Sequence, residues 1–185
     1  FRTLTMLRPG RLKEQAGFKL NALLTGRLSR PLSKEYLFGD DVEVDAQAFH
    51  LYSRLLDPDF SSAEADSAMQ AAGVKPDDRR CVHNLLERLG SKRGSVERIF
   101  IHLSENTPIE EFGPYAPLVV PVRGAFQLGL ALYHLKLIGP RAMRQVTEAV
   151  FADPSAIPLD EMISDSLDRK MIGEAELKEL SLTNP

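Results

Sequence analysis

Between Ala63 and Glu105 the chain reads as helix, turn, helix, turn and helix, and this order constrains the fold more than any other stretch. An Ala-rich helix passes through Met69 and stops at Gly73, Val74-Lys75-Pro76-Asp77 turns, and Asp78 to Leu89 resumes with Val82, Leu85, Leu86 and Leu89 at helical spacing. Gly just past one helix and Pro at the start of the next punctuate a short antiparallel helix pair. Counting from Asp45 in blocks of about 35 residues puts block starts at Asp45, Arg80 and Tyr115, with corresponding helices in step. The expected fold is all-α: a helical-hairpin solenoid of degenerate repeats with an extended N-terminal arm. Such repeats bind something large and rarely do chemistry themselves.

The rest of the chain is read to fit. A helix is expected from Arg11 to Thr25, with Leu12, Phe18, Leu20 and Leu23 or Leu24 inward and Gly26 ending it. A non-helical segment, Leu32 to Val44, carries Tyr36-Leu37-Phe38-Gly39, and its aromatics are expected to pack on the first repeat. Asp45 is placed to cap a helix reaching Leu56, and Ser61-Ser62-Ala63-Glu64 reads as a capping box. The second repeat is completed by a helix from Ser95 to Leu103, with Val96, Ile99, Phe100 and Leu103 inward. A third pair runs from Tyr115 to Val122, weakened by Pro121, and from Gly124 to Ile138. Helices at 140–152 and 158–170 and a turn near 174–180 follow. This divides the chain into a basic arm and extended segment (1–44), the repeats (45–139) and C-terminal capping helices (140–185), one domain plus a tail.

The net charge of −3 hides an uneven layout. Residues 1–34 hold Arg2, Arg8, Arg11, Lys13, Lys19, Arg27, Arg30 and Lys34 against Glu14 alone, so the arm carries +7 and the remainder −10. Such an arm suits an acidic partner, nucleic acid or an organellar presequence, or is a solvated tail. A start at Phe1 suits a processed precursor or a trimmed chain. The lone Cys81, beside Val82, Leu85 and Leu86, excludes an intramolecular disulfide, points to a reducing compartment and reads as a buried thiol. The apolar run Gly124 to Tyr133 falls short of a membrane span and reads as the most buried helix.

The Met69 to Leu89 segment resembles a pentatricopeptide repeat, two antiparallel helices closed by a Gly-x-x-Pro-Asp turn. The order Lys34-Glu35-Tyr36-Leu37-Phe38-Gly39, an acidic stretch with Val42, Val44 and Asp45, the repeat pair, then Arg123-Gly124-Ala125-Phe126-Gln127-Leu128-Gly129 resembles a further family: the small, pentatricopeptide-like, α-associated subunits of euglenozoan mitochondrial F1 ATP synthase. The resemblance covers roughly residues 34–138. It implies a non-catalytic structural subunit without a cofactor, held on the outside of an F1 α subunit with the β subunit beside it. The place implied is the mitochondrial matrix, at the inner membrane within a complex and without inserting into it. Tyr36, Leu37 and Phe38 would supply apolar contact, and Arg8, Arg11, Arg27 and Arg30 would lie over an acidic neighbour.

The alternative is an organellar RNA-binding or mitoribosomal accessory protein, since most pentatricopeptide proteins read one base per repeat. The fifth positions of the three blocks are Phe49, Asn84 and Val119, and only Asn84 has an amide able to read a base edge. One reader on an acidic core argues against RNA, because neutralised phosphates supply much of the affinity. Other motifs have plainer explanations. Gly90-Ser91-Lys92-Arg93-Gly94-Ser95 lacks the Gly-Lys-Ser/Thr order of a phosphate loop and reads as a helix-to-helix turn. Asp165, Asp168, Gly173 and Glu176 miss the alternation of a calcium loop. His50, His83, His102 and His134 are too dispersed in sequence to pair on a metal, and no nucleophile–base constellation can be drawn.

Overall fold

The computed structural model describes residues 9–179 apart from Glu43 and Lys92. Over these residues the chain is mixed α/β, 58% helical, with nine helices and a three-stranded parallel sheet. The sheet overturns the all-α helical-hairpin solenoid. The chain divides into two compact units, Phe1–Pro121 and Val122–Pro185.

In the first unit, helix α1 (Pro9–Leu28) leads into strand β1 (Lys34–Asp40). Three helices follow, α2 (Asp45–Leu55), α3 (Ser62–Ala71) and α4 (Pro76–Leu89), before strand β2 (Ser95–His102). A 3₁₀ segment (Ile109–Tyr115) leads to strand β3 (Val119–Val122), and the sheet order is β1-β2-β3. A parallel pair needs a long crossover, and α2–α4 supply it between β1 and β2. Tyr36 is level with Arg98, Leu37 with Ile99 and Phe38 with Phe100.

The segment 95–103 is where the solenoid fails. Val96, Ile99, Phe100 and Leu103 fit a helical stripe, yet they form the central strand and its exit. Ile99, Phe100 and Ile101 are all buried, at 0%, 1% and 0% exposure. An amphipathic helix turns successive residues away from its apolar stripe, whereas a central parallel strand takes a continuous apolar run. The tract Ile-Phe-Ile is β-branched and aromatic, which suits the pleated surface. For similar reasons Val119-Val120-Pro121-Val122 is strand, with Pro121 in the short outer strand β3, where a missing N–H is tolerated.

Helix α1 buries Ala16, Leu20 and Leu24 along one stripe and runs through Gly26 instead of ending there. Phe18, expected inside, is exposed at 72%. The stripe packs into a core with Tyr52 and Leu55 of α2, Met69 of α3, and Val82 and Leu85 of α4. Gly17 permits the close approach of α1 to α4: a Cβ there would lie 2.5 Å from the Asp78 carboxylate. Asn21 donates to that carboxylate at 3.1 Å. On the sheet side of α2, Ala46 and Phe49 pack with Ile99, Ile101, Phe112 and Val119.

The Ser61 capping box forms as expected: the Glu64 N–H donates to the Ser61 hydroxyl, and the Ser61 N–H donates to the Glu64 carboxylate. Asp45, by contrast, is the first residue of α2 and does not cap it. Cys81 is exposed on α4, which corrects the buried thiol: its neighbour Val82 takes the inward stripe.

The second unit contains α5 (Ala125–His134), α6 (Pro140–Ala152), α7 (Leu159–Asp168) and α8 (Glu174–Glu179). Phe126, Leu130, Met143, Met162, Ile172 and Leu177 form its core. Among the described residues no helix is long and apolar enough to cross a membrane.

Candidate functional site

The most elaborate polar arrangement joins the end of α1 to the start of both paired strands. Arg27, one of the basic residues expected to face a partner, has no exposed surface. Its Nε donates to the Tyr52 hydroxyl at 2.9 Å, and Nη1 donates to the Ser33 hydroxyl at 2.9 Å and to the Ser33 carbonyl. Nη2 lies 2.9 Å from the Glu35 carboxylate and donates to the Ser95 carbonyl at 3.4 Å. The Tyr52 hydroxyl donates to the same Glu35 oxygen at 2.8 Å, and Arg30, largely exposed, takes the other at 3.1 Å. Burial, and then the negative acceptor Glu35, push the Tyr52 phenol well above its ordinary value, so at neutral pH it is a fixed donor.

This hub explains Gly94. Its φ is +57°, and a Cβ would meet the Ser33 carbonyl at 2.3 Å and the Arg27 guanidinium at 2.7 Å. The Gly90–Ser95 segment is a turn as expected, but from helix to strand. Arg93 within it donates to the Gly90 and Leu55 carbonyls at 2.7 and 3.1 Å, and Lys92 lies outside the described residues.

A second polar node sits at the other end of β1. Asp45 is buried, ion-paired with Lys19, and accepts from the Asp40 N–H at 3.2 Å. Asp41 accepts from the Glu105 and Thr107 N–H groups at 2.9 and 3.0 Å, tying the exit of β1 to the loop after β2. Burial, the largest single influence on Asp41, raises its pKa, but these backbone donors with Ser104 and the Thr107 hydroxyl together hold it below the ordinary value.

Between the two nodes β1 forms one margin of the sheet, with β2 on its other side. Alternation divides its side chains. Glu35 enters the hub, and Leu37 packs against both apolar clusters of this unit. On the opposite face Tyr36 is half-buried, and Phe38 is 54% exposed, its ring stacked on Phe100 at 5.3 Å. Leu32 and Val42, just before and after the strand, are exposed as well. An outer strand presents unpaired N–H and C=O groups along its free side, and with an apolar ring beside them it is a template for a further chain.

The residues expected to bind a partner are thus separated by the fold. Phe38 and Arg30 reach solvent near one another in sequence, Tyr36 does so in part, and Leu37 and Arg27 turn inward. Arg8 lies outside the described residues, and Arg11 is on α1 with its side chain outside them. The register proposed for RNA does not survive: Asn84 is exposed on α4, but Phe49 packs under the sheet and Val119 is buried in β3. They occupy two helices and a strand rather than one position of successive hairpins.

Asp165, weighed as a calcium ligand, sits within α7, where it accepts from Gln127 and from Arg169 at 3.2 Å. Among the described residues no group of three or more His, Cys, Asp or Glu side chains is placed to hold a metal. Sequence reasoning missed Tyr52, Glu35 and Asp45 as polar partners. The available signal was a Glu just after an Arg cluster, with a lone Tyr on an apolar helix stripe. No family model, curated protein or solved structure matches this chain.

Proposed function

We propose that this chain is a non-catalytic interaction subunit that docks on a protein partner through the outer margin of β1. The observation that carries this reading is Phe38, an aromatic ring 54% exposed at the middle of an outer strand. Exposed rings beside unpaired backbone favour strand addition by a partner, with main-chain bonds supplying affinity and side-chain pockets specificity. The hub and the Asp45 node hold both ends of β1, so the strand is presented rigidly and little ordering entropy is lost on docking.

The first partner to test is the α subunit of mitochondrial F1 ATP synthase, with β beside it, in the mitochondrial matrix. The Lys34–Gly39 run, the first of the motifs whose order carries that resemblance, is almost the whole of β1. The sheet removes the solenoid from the resemblance, and of this motif it leaves Phe38 exposed and Tyr36 partly so. Affinity purification of the tagged protein from its own mitochondria, as wild type and as Phe38→Glu, tests both parts. Recovery of α and β with the wild type and their loss with Phe38→Glu, at unchanged circular dichroism, is expected. Recovery of other proteins alone would reject the F1 assignment, and equal recovery by both forms would reject the β1 margin.

A further inference from the structure

The second unit carries an apolar groove of about 710 Å³. Leu159, Ile163 and Leu167 of α7 line it, together with Val150, Ile157 and Leu177. All but Leu177 are only partly buried, and Phe151 beside them is 65% exposed. On helix α7, Met162 and Ser166 are buried, while Leu159, Ile163 and Leu167 pack against the same core along one side and stay part-exposed on the other, where they line the groove.

We propose that this groove receives an amphipathic, basic α-helix of a partner protein. Two features select that occupant. Leu159, Ile163 and Leu167 form an i, i+4, i+8 ridge about 12 Å long, which can seat in the groove between equivalent ridges of a second helix. The charge on the lining is of one sign, since Asp153 and Asp160 are its ionisable groups and no Lys or Arg lies among them. Asp153 is held charged by the Ser155 hydroxyl and N–H. The apolar side of the incoming helix covers the ridge, and its flanking Lys or Arg side chains meet the two carboxylates at the rim.

The full chain contains no Trp, so a Trp in a probe peptide reports on the probe alone. The probe is an amphipathic Leu/Lys peptide about four turns long with one central Trp on its apolar face. Titration with the full chain is expected to give a saturable blue shift of its emission. Ile163→Asp, at an already part-exposed site, is expected to weaken binding about tenfold, and Asp160→Asn about threefold with a shallower salt dependence. Leu159→Gln is a second variant should Ile163→Asp not fold, with the same direction of effect.

Equal binding by a scrambled peptide of the same composition would overturn the proposal, as would equal binding by a Leu/Glu peptide. Binding seen only after removal of residues 180–185 would assign the groove to the chain's own C-terminus. A dimer in sedimentation that Ile163→Asp dissolves and the peptide displaces would assign it to a second copy. Either result overturns the partner helix, and neither bears on Phe38.

Discussion

Arg27 shows how one side chain can change meaning between sequence and fold. As a residue of a basic arm it belongs with Arg30 as a surface cation, but in the structure it is fully buried and bonded to Tyr52, Ser33, Glu35 and Ser95. Removing it leaves the Glu35 carboxylate, itself mostly buried, without its main counter-charge. Arg27→Leu is therefore expected to lower the unfolding free energy by about 3–5 kcal/mol in urea denaturation, since breaking a buried pair costs more than the pair contributes. The double replacement Arg27→Leu with Glu35→Leu is expected to recover part of that loss. Nothing local identifies the partners, because Tyr52 and Ser95 reach Arg27 only through the folded chain. Charge counting found the arm but could not find which of its members the core would claim.

At the scale of elements, what could be read depended on whether the signal was local. The Ser61 capping box, the Gly73 stop and the Pro76 start are short-range chemistry, and α3 and α4 appear where that chemistry puts them. Ser61→Ala is expected to cost about 1 kcal/mol and to speed amide exchange at the first turn of α3, read by hydrogen-exchange mass spectrometry. Helices α5, α6 and α7 of the second unit also follow their Gly, Pro and apolar spacing, whereas 174–179, read as a turn, is helix α8. The strands were not legible in that way. Short apolar tracts such as 99–101 satisfy helix and central-strand patterns alike, and only pairing with a distant strand decides between them. Phe38 and its neighbours were correctly picked out as an extended aromatic segment, whereas the split between Leu37 inside and Phe38 outside needed the pleat of β1. The groove along α7 escaped notice because its ridge looked like an ordinary core stripe.

For the molecule as a whole, acid should act in two stages. His50 on α2 lies 5.1 Å from the Tyr115 ring, and burial, then the charge of Arg54, lowers its pKa below the ordinary 6.5. The unfolded chain thus takes up this proton first. Stability from a neutral His50 is complete above about pH 6.5 and declines as pH falls from there towards the lower folded value. Asp41 has its pKa lowered from 3.8, so its contribution is complete above that value and is lost as pH falls below it. Urea unfolding across this range should show a plateau above neutrality, a shallow decline below about pH 6.5 and a further one below about pH 4. His50→Gln is expected to flatten the first decline and Asp41→Asn the second. A first decline that survives His50→Gln would remove His50 as its cause.

The parallel pairing of β1 with β2 also sets an order of events at synthesis. Lys34 finds its register partner only when Ser95 has emerged, after all of α2, α3 and α4. At translation speeds of about 5–20 residues per second, the Tyr36-Leu37-Phe38 tract waits several seconds with neither of its sides hydrogen-bonded to a strand. During that interval a nascent chain is most open to holdase capture or to pairing with a neighbouring copy on the same messenger, and the pace of translation through the crossover becomes a determinant of yield.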